Sequence, residues 1–388
     1  MARRNISTGI DIGSSSIRVL ISEYTENKAQ PIIIGTGISE AKGLRHGYIV
    51  NTDEAAYSIK EAITQAENNA GLKIKKAFVS IGGISVESEV TTGSAFVTRA
   101  DNVVTDIDIK KATDSSEDNL SHASNKQIIH SIPIKFTLDG VTVLGKPQGM
   151  KGSRLEVTTL FVTCLKQHLQ DFISAVEDTG IRVEDIMASS IAAGFVTLNK
   201  RQKTAGCVLA NIGAETLSIA VFENNIPISL KIFPIGGMEI TNDIALGLKI
   251  TLDEAESIKR GSGINSYPKK KLEDIIEARL SDIFDLVNAH LKKIGKNGLL
   301  PAGIIITGGT SSIPIVEELA KNTLHIPSKV ASPNFSKNTK NQINDSNWSV
   351  AYGLCIMGIG SEKGDGSAIK IPKNSKGAFI AWVKQYLP

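Results

Sequence analysis

Two short segments of the chain carry the residue types that bind phosphate groups. Residues 11–16 read Asp-Ile-Gly-Ser-Ser-Ser, and residues 211–216, at an offset of 200, read Asn-Ile-Gly-Ala-Glu-Thr. Glycine allows a tight turn close to an anion, and neighbouring N–H groups and hydroxyls donate hydrogen bonds to phosphate oxygens. Asp11, at a strand end, could hold waters around a phosphate-bound Mg²⁺. The pattern predicts two turns that bind one triphosphate between them; the simpler alternative is two β-hairpins with Gly/Ser turns.

The residues beside these turns have the apolar, β-branched pattern of strands. Residues 6–23 read as strand, turn and strand, and residues 208–222 repeat that order. A third glycine turn, residues 308–310, follows the apolar residues 304–307 and precedes a predicted helix over residues 314–322. The repeat predicts two similar α/β domains that face each other.

The remaining elements complete an α/β chain with one insertion. Asp53 is the expected N-cap of a helix that Gly71 closes. Residues 85–165 replace the βα alternation with alternating stretches around a polar helical segment, which predicts a small α+β insertion. Further strands are predicted over residues 31–38 and 76–81, and helices over residues 53–71, 106–119, 166–180, 240–248, 252–260 and 272–293.

Composition excludes several classes of protein. A chain of 388 residues with 41% hydrophobic and 21% charged residues is typical of a soluble protein of two or three domains. A net charge of +3 and 5% aromatic residues argue against a nucleic-acid partner. Cys164, Cys207 and Cys355 form no CxxC pair, which argues against a disulfide framework or thiolate metal site. Asp11 and Arg18 interrupt the first apolar stretch, so no signal peptide is expected.

The last residues have the pattern of a membrane-binding helix on a linker. Residues 361–377 are rich in Gly, Ser, Lys and Pro, which predicts a flexible linker. At 100° per residue, one face of residues 378–388 collects the apolar side chains, which predicts an amphipathic helix that binds lipid. The alternative is a helix that docks on the protein's own core. The apolar residues are Phe379, Ile380, Trp382, Val383, Tyr386 and Leu387.

The two hairpins resemble the phosphate-1 and phosphate-2 loops of the actin/Hsp70/sugar-kinase superfamily, and residues 304–310 resemble its adenosine loop. Within that superfamily the whole chain resembles the FtsA family of cell-division proteins. The supporting stretches are residues 43–50 (Gly-Leu-Arg-His-Gly-Tyr-Ile-Val), 128–133, 149–156, 234–237 (Pro-Ile-Gly-Gly), 240–245 and 276–279.

The resemblance implies an actin-like ATPase fold of class α/β, with two lobes built on duplicated ribonuclease-H-like domains. An α+β insertion interrupts the first lobe, and an amphipathic helix ends the chain. The implied division is residues 1–84 and 166–204 for the first-lobe core (1A), 85–165 for the inserted subdomain (1C), 205–236 and 300–360 for the second-lobe core (2A), 237–299 for its small subdomain (2B), 361–377 for the linker and 378–388 for the membrane-targeting helix.

The resemblance also implies ATP and Mg²⁺ between the lobes, with Asp11 holding the metal through water. Glu256 and Lys259 would meet the ribose and adenine, although from the residues alone they read as a solvated ion pair on a helix. The implied nucleotide-binding residues are Asp11, Gly13, Ser14, Ser15, Ser16, Asn211, Gly213, Thr216, Gly237, Glu256, Lys259, Gly308, Gly309 and Thr310.

The chain departs from the pattern of active ATPases at three places. Position 211 is Asn where the superfamily usually has Asp, and position 16 is Ser where many FtsA proteins have Lys. Residues 188–193 contain no carboxylate that could activate a water. We therefore predict very slow ATP hydrolysis or none, and no catalytic residue is assigned.

The resemblance implies a protein that polymerises on the cytoplasmic face of the plasma membrane at the division septum. It would be peripheral, held by lipid contact of the C-terminal helix, with filaments of itself as one partner. Further partners would be other division proteins and the C-terminal peptide of FtsZ, the tubulin-like division protein. The segment 260–271 is short, leaving little room for the hairpin often found in the FtsZ-binding subdomain.

Two alternatives stay open at this point. A pilus-assembly scaffold of the PilM type has a similar Asp-Ile-Gly-Ser-Ser-Ser loop, but residues 149–156 and the C-terminal helix favour FtsA. A small-molecule kinase or chaperone-like ATPase shares the fold. The sequence shows no motif for a kinase's base and substrate pocket, and only 28 residues follow Gly360, too few for a peptide-binding domain.

Overall fold

The structure is a computed structural model, in which residues 5–24, 31–121, 124–262, 267–333, 335 and 345–362 are described. Within these ranges, none of the helices combines the length and apolar character of a membrane-spanning segment.

The first lobe is built on a five-stranded sheet in the order β11-β6-β1-β2-β3. β1 pairs antiparallel with β2 and parallel with β6. Ile is the most frequent residue of these strands, and the central strand β1 is buried along most of its length, as expected for a sheet covered on both faces. The strands are β1 (Asn5–Ile12), β2 (Ser16–Tyr24), β3 (Ile32–Glu40), β6 (Lys76–Ile81) and β11 (Arg182–Ala188), and a small hairpin joins β4 (Leu44–Arg45) to β5 (Tyr48–Ile49).

The first-lobe helices cover this sheet. The first of them, Thr52–Ala70, is capped by Asn51, whose side chain accepts a hydrogen bond from Glu54 N–H. The prediction of Asp53 as the N-cap was wrong, because Asp53 lies in the first turn. Gly71 ends the helix in the left-handed conformation at φ 67°, as predicted. These helices are α1 (Thr52–Ala70), α3 (Lys166–Glu177) and α4 (Ser189–Thr197). The next helix, α5 (Lys200–Ala205), contacts the second lobe instead, where Asn225 N–H donates to Lys203 O at 3.0 Å.

The insertion predicted over residues 85–165 is an α+β unit, but it does not stand apart from the second lobe. Its first strand pairs with a second-lobe strand at Lys231 and Glu87, and Ser88 Oγ donates to Leu230 O at 2.7 Å. One nine-stranded sheet therefore runs through both, in the order β16-β15-β12-β13-β14-β7-β10-β8-β9. The inserted elements are β7 (Glu87–Phe96), α2 (Asp106–Asp118), β8 (Lys126–Leu138), β9 (Val141–Val143) and β10 (Arg154–Leu165).

The second lobe packs helices on one face of its sheet. Alternate residues of its first strand divide between two cores: Val208 and Ala210 pack with these helices, while Cys207 and Leu209 join the core shared with the first lobe. The strands are β12 (Cys207–Ile212), β13 (Leu217–Glu223), β14 (Ile226–Phe233), β15 (Ile304–Thr307) and β16 (Ser328–Val330), and the helices are α6 (Gly237–Leu248), α7 (Leu252–Lys259), α8 (Lys269–Lys293) and α9 (Val316–Leu324).

The last described helix, α10 (Ser349–Glu362), returns to the first lobe. It packs on α4 and β1, and Tyr352 and Cys355 are buried beside Leu20 of β2. The assignment of residues 300–360 to the second lobe was therefore wrong for this helix, which also occupies the first two positions of the predicted linker. Glycine permits the close packing: a Cβ on Gly9 would lie 2.2 Å from Ala351 O.

Candidate functional site

The first predicted turn connects β1 to β2. Gly13 N–H donates to Ser16 O at 3.2 Å, and Ile12 pairs with Ile17 across the two strands. A Cβ on Gly13 would lie 3.0 Å from Ser16 O, closer than a side chain tolerates without a shift. The residues therefore form a closed four-residue turn that favours glycine at its first position.

The second turn, between β12 and β13, repeats this geometry. Gly213 N–H donates to Thr216 O at 2.9 Å, and Ile212 pairs with Leu217. A Cβ on Gly213 would lie 3.1 Å from Thr216 O. The repeat predicted at an offset of 200 residues is therefore present in the backbone as well as in the sequence.

Both turns lie on the wall of one cavity of about 590 Å³. Residues of both lobes contribute to this wall, as predicted for a cleft. The cavity brings together every residue implied for nucleotide binding: Asp11, Gly13, Ser14, Ser15, Ser16, Asn211, Gly213, Thr216, Gly237, Glu256, Lys259, Gly308, Gly309 and Thr310.

Asp11 is a buried carboxylate at the end of β1, with 8% of its surface exposed. Its Oδ1 accepts a hydrogen bond from Ser80 Oγ at 2.8 Å, and it pairs in register with Arg18 of β2. Burial raises the pKa of Asp11 above its ordinary value, although the charge of Arg18 and the Ser80 hydrogen bond oppose the rise. Burial likewise lowers the pKa of Arg18. The two side chains compensate each other's charge inside the cavity wall.

The donor set between the turns can be tested for a metal ion. Asp11 offers a carboxylate and Asn211 a neutral amide on the same cavity. Over the described ranges, no group of three or more His, Cys, Asp or Glu side chains could hold a metal. Mg²⁺ commonly binds through one or two carboxylates together with phosphate oxygens and water. The residues therefore fit Mg²⁺ carried on a phosphate group, but they form no all-protein metal site.

Glu256 and Lys259 form an ion pair on α7, with Lys259 Nζ 2.6 Å from Glu256 Oε2. Lys259 Nζ also donates to Gly237 O at 2.9 Å and to Thr241 Oγ1 at 2.7 Å, which ties α7 to the start of α6. Burial would raise the pKa of Glu256, but hydrogen bonds from Lys259 and Thr241 outweigh it and hold this pKa at about 2. The interpretation as a solvated pair was wrong, because the Lys259 side chain is only 12% exposed.

The third glycine turn contacts the second turn and the end of β12 that leads into it. Gly308 has φ +90°, and a Cβ there would lie 2.5 Å from both Asn211 Oδ1 and Ile212 O. Thr310 Oγ1 donates to Gly213 O at 3.2 Å. Only glycine fits this close approach in the left-handed region, so the third turn packs directly against Asn211 and, through Thr310, against Gly213.

The cavity also contains residues that the sequence analysis did not assign to it. Arg18 lies on the wall and supplies a cation there, whereas Ser16 in place of Lys removes one. The strand register could have found Arg18, since a turn over residues 13–16 places residue 18 opposite Asp11. No sequence signal indicated the other unassigned residues, which include Gly47, Gly82, Gly83, Ser189, Ser218, Arg260, Asp345, Ser346 and Asn347.

The predicted membrane contacts lie outside the described residues. The same holds for residues 363–377 of the predicted linker. The residues concerned are Phe379, Ile380, Trp382, Val383, Tyr386 and Leu387.

Solved structures of low sequence identity share the fold. A PilM-PilN type IV pilus biogenesis complex matches with a TM-score of 0.66 at 16% identity, over 91% of this chain and 98% of that chain. MreB5 of Spiroplasma citri bound to AMPPNP matches with a TM-score of 0.54 at 12% identity, over 91% and 96%. The predicted actin-like fold is therefore confirmed.

Sequence comparison gives the family. The family model described as "Cell division protein FtsA" matches residues 208–353, and that described as "SHS2 domain inserted in FTSA" matches residues 83–163. The cell division protein FtsA of Bacillus subtilis (strain 168) is 31% identical over 357 residues, covering 86% of this chain and 80% of that protein. FtsA of Pseudomonas aeruginosa is 30% identical over 389 residues, covering 95% and 92%. The chain, with its actin-like fold and inserted SHS2 domain, belongs to the FtsA family of cell division proteins.

Proposed function

We propose that this protein binds ATP with Mg²⁺ between its lobes and, as a filament on the membrane, tethers FtsZ at the division site. The observation that carries the nucleotide proposal is the pair of matching turns, residues 13–16 and 213–216, on the wall of one cavity. Two such turns on opposite lobes offer backbone N–H groups and hydroxyls to a triphosphate from both sides.

The phosphate groups would meet both a cation and a carboxylate. Arg18 Nε is buried and has no hydrogen-bond partner among the described residues, so the guanidinium can still donate to an anion. Asp11 would hold Mg²⁺ through water, and the metal would neutralise phosphate charge. Because Asp11 already compensates Arg18, we expect metal and phosphate to bind together rather than separately.

The nucleoside would lie between α7 and the third glycine turn. The Glu256 carboxylate can accept hydrogen bonds from ribose hydroxyls, because its pKa of about 2 keeps it ionised at neutral pH. Gly308 and Gly309 present backbone on the same cavity, where an adenine ring could approach closely.

ATP turnover is proposed to be very slow or absent. Ser189 is the cavity residue at the start of α4, where a carboxylate could otherwise activate a water. Asn211 cannot accept a proton or supply a negative charge. Brisk phosphate release that Asp11→Ala abolishes would contradict this part of the proposal.

The cell-division role rests on the family and on the sequence outside the described residues. Membership in the FtsA family supports self-association and division-protein partners, with the FtsZ peptide as the proposed ligand of the small second-lobe subdomain. The amphipathic pattern of residues 378–388 supports peripheral attachment to lipid. The match of residues 83–163 to the FtsA-type insertion favours this role over a pilus-assembly scaffold.

Titration of the full-length protein with ATP, with and without Mg²⁺, tests the nucleotide proposal. We expect saturable binding that Mg²⁺ strengthens and that Asp11→Ala weakens at least tenfold, because the variant loses the metal-holding carboxylate. A thermal melt of each protein checks that both are folded. Absence of binding by the wild-type protein at millimolar ATP would overturn the proposal.

A further inference from the structure

One segment of the first lobe makes hydrogen bonds to both turns of the cavity. We call residues 41–49 the strap; they follow β3 and include the β4–β5 hairpin. Ala41 N–H donates to Ser15 O of the first turn at 3.1 Å. His46 N–H donates to the Glu215 carboxylate (Oε2) of the second turn at 2.5 Å. Positions 15 and 215 are equivalent in the repeat, so the strap contacts equivalent residues of the two turns, Ser15 through its backbone oxygen and Glu215 through its carboxylate.

Glu215 is the exception within its own turn. Gly213, Ala214 and Thr216 lie on the cavity wall, but Glu215 does not, because its side chain is directed to the strap. A carboxylate facing the cavity would repel phosphate groups. Its hydrogen bond to a backbone N–H of the opposite lobe gives this charged residue a role that the phosphate chemistry does not explain.

The strap holds His46 in a fixed position on the first lobe. His46 and Gly47 form the tip of the hairpin with φ +47° and +76°, a left-handed pair typical of two-residue hairpin turns. Gly47 O accepts a hydrogen bond from the buried His168 Nε2 at 2.9 Å, and Tyr48 stacks on the same ring at 4.4 Å. A Cβ on Gly47 would lie 2.4 Å from Gly83 Cα, so the tip is packed against the Gly-Gly pair that follows β6.

We propose that Glu215 and the His46 N–H form a latch between the lobes that sets the spacing of the two phosphate-binding turns. Glu215 is a positioning residue: its carboxylate bonds to the strap instead of lining the cavity, and it holds the second turn where both turns reach one triphosphate. The proposal rests on the proposed nucleotide site. Since linkage is reciprocal, a nucleotide that needs the closed spacing must also strengthen the latch.

Hydrogen exchange at the His46 amide, together with ATP titration of the full chain, tests the latch. In the wild-type protein we expect this amide to be protected and ATP to slow its exchange further. Glu215→Ala should remove the protection and weaken ATP binding by about 5- to 50-fold, within the range of typical coupling energies. Glu215→Gln, which keeps an acceptor oxygen, should recover part of both effects.

Glu89→Ala is the matched control. Glu89 also accepts a hydrogen bond from a backbone N–H, that of Ser121 at 3.2 Å, but it lies in the inserted domain away from the cavity. This variant should leave the hydrogen exchange of the His46 amide and the ATP affinity unchanged. If a folded Glu215→Ala protein shows the wild-type exchange rate at the His46 amide and the wild-type ATP affinity, the proposed latch is wrong. If the wild-type protein binds no ATP, the nucleotide proposal fails, while the His46 amide of Glu215→Ala without nucleotide still decides whether the latch exists.

Discussion

Asp11 and Arg18 face each other in register across β1 and β2, and both line the cavity between the lobes. Side chains at opposite positions of an antiparallel pair lie on the same face of the sheet. The acid that would hold Mg²⁺ and the cation that would meet phosphate therefore come from a single hairpin. The register of β1 with β2, which the four-residue turn fixes, aligns the two residues.

The pair predicts a pH-dependent loss of stability in Arg18→Met. Burial already raises the pKa of Asp11, and removal of Arg18 takes away the charge that opposes the rise. When the pKa of an acid is higher in the folded than in the unfolded protein, the free energy of unfolding falls as pH rises and the buried acid loses its proton. The free energy of unfolding of Arg18→Met, measured by denaturation, should therefore be lower than that of the wild-type protein by about 1–3 kcal/mol at pH 8. At pH 5 the difference should be smaller. Equal losses at both pH values would contradict this account, and Asp11→Asn in the same chain should restore part of the stability.

The third glycine turn predicts that substitution of Gly308 destabilises the protein and that the same substitution of Gly309 does not. Gly308→Ala should destabilise the protein by about 2 kcal/mol or more and impair ATP binding, because its Cβ would meet Asn211 Oδ1 at 2.5 Å with φ +90°. Gly309→Ala is the matched control for folding, since a Cβ there would first meet Asn347 Oδ1 at 3.5 Å, an ordinary contact. Thermal melts of both variants test the prediction, since Gly308→Ala should melt at a lower temperature than Gly309→Ala. Similar melting temperatures of the two variants would contradict the prediction.

Asp185 of β11 predicts a gain of stability on neutralisation. Burial raises the pKa of this carboxyl to about 7 in the folded protein, from 3.8. Because the folded pKa is the higher one, wild-type stability falls as pH rises from about 4 to 7, by up to about 1.4 kcal/mol per pH unit. Asp185→Asn should remove that fall and keep the acceptor for Ile186 N–H, seen at 2.8 Å. Urea denaturation of both proteins at pH 5 and 8 measures how their free energies of unfolding change with pH.

The control for Asp185→Asn is Asp274→Asn, which changes the same charge at an exposed position of α8. Its free energy of unfolding should follow that of the wild-type protein at both pH values. A stabilisation by Asp185→Asn that is no larger at pH 8 than at pH 5 would show that burial does not govern this carboxyl.

Removal of residues 373–388 should separate lipid binding from nucleotide binding. Burial of six apolar side chains at about 1 kcal/mol each gives weak, reversible attachment, which a filament would strengthen by presenting many helices to one surface. The truncated protein should bind ATP with wild-type affinity but fail to co-sediment with anionic liposomes. Lys384→Glu in the full chain is a milder variant that should weaken sedimentation mainly at low salt. Unchanged sedimentation of the truncated protein would contradict the anchor.

Local patterns predicted the turns and most elements because the chemistry there is local. Gly13 and Gly213 each close a four-residue turn whose geometry follows from the residues inside it. The strand 76–81 matched its prediction at both ends, since apolar β-branched residues meet a Gly-Gly pair there.

Contacts between distant segments were not readable in the same way. The return of α10 to the first lobe depends on the close approach of Ala351 to Gly9, more than 300 residues apart in sequence. The pairing of Glu87 with Lys231, which joins the inserted domain to the second-lobe sheet, has no local signal. Ser80 reaches Asp11 only because β6 pairs with β1, so its place in the site required the sheet order.

A crystal structure of the full-length protein with Mg²⁺ and a non-hydrolysable ATP analogue would show whether both turns contact one triphosphate. We expect the triphosphate to lie between residues 13–16 and 213–216, with Arg18 in contact with a phosphate oxygen and Glu256 beside the ribose. A cavity that stays empty at saturating analogue would contradict it, as would phosphates that contact only one of the two turns.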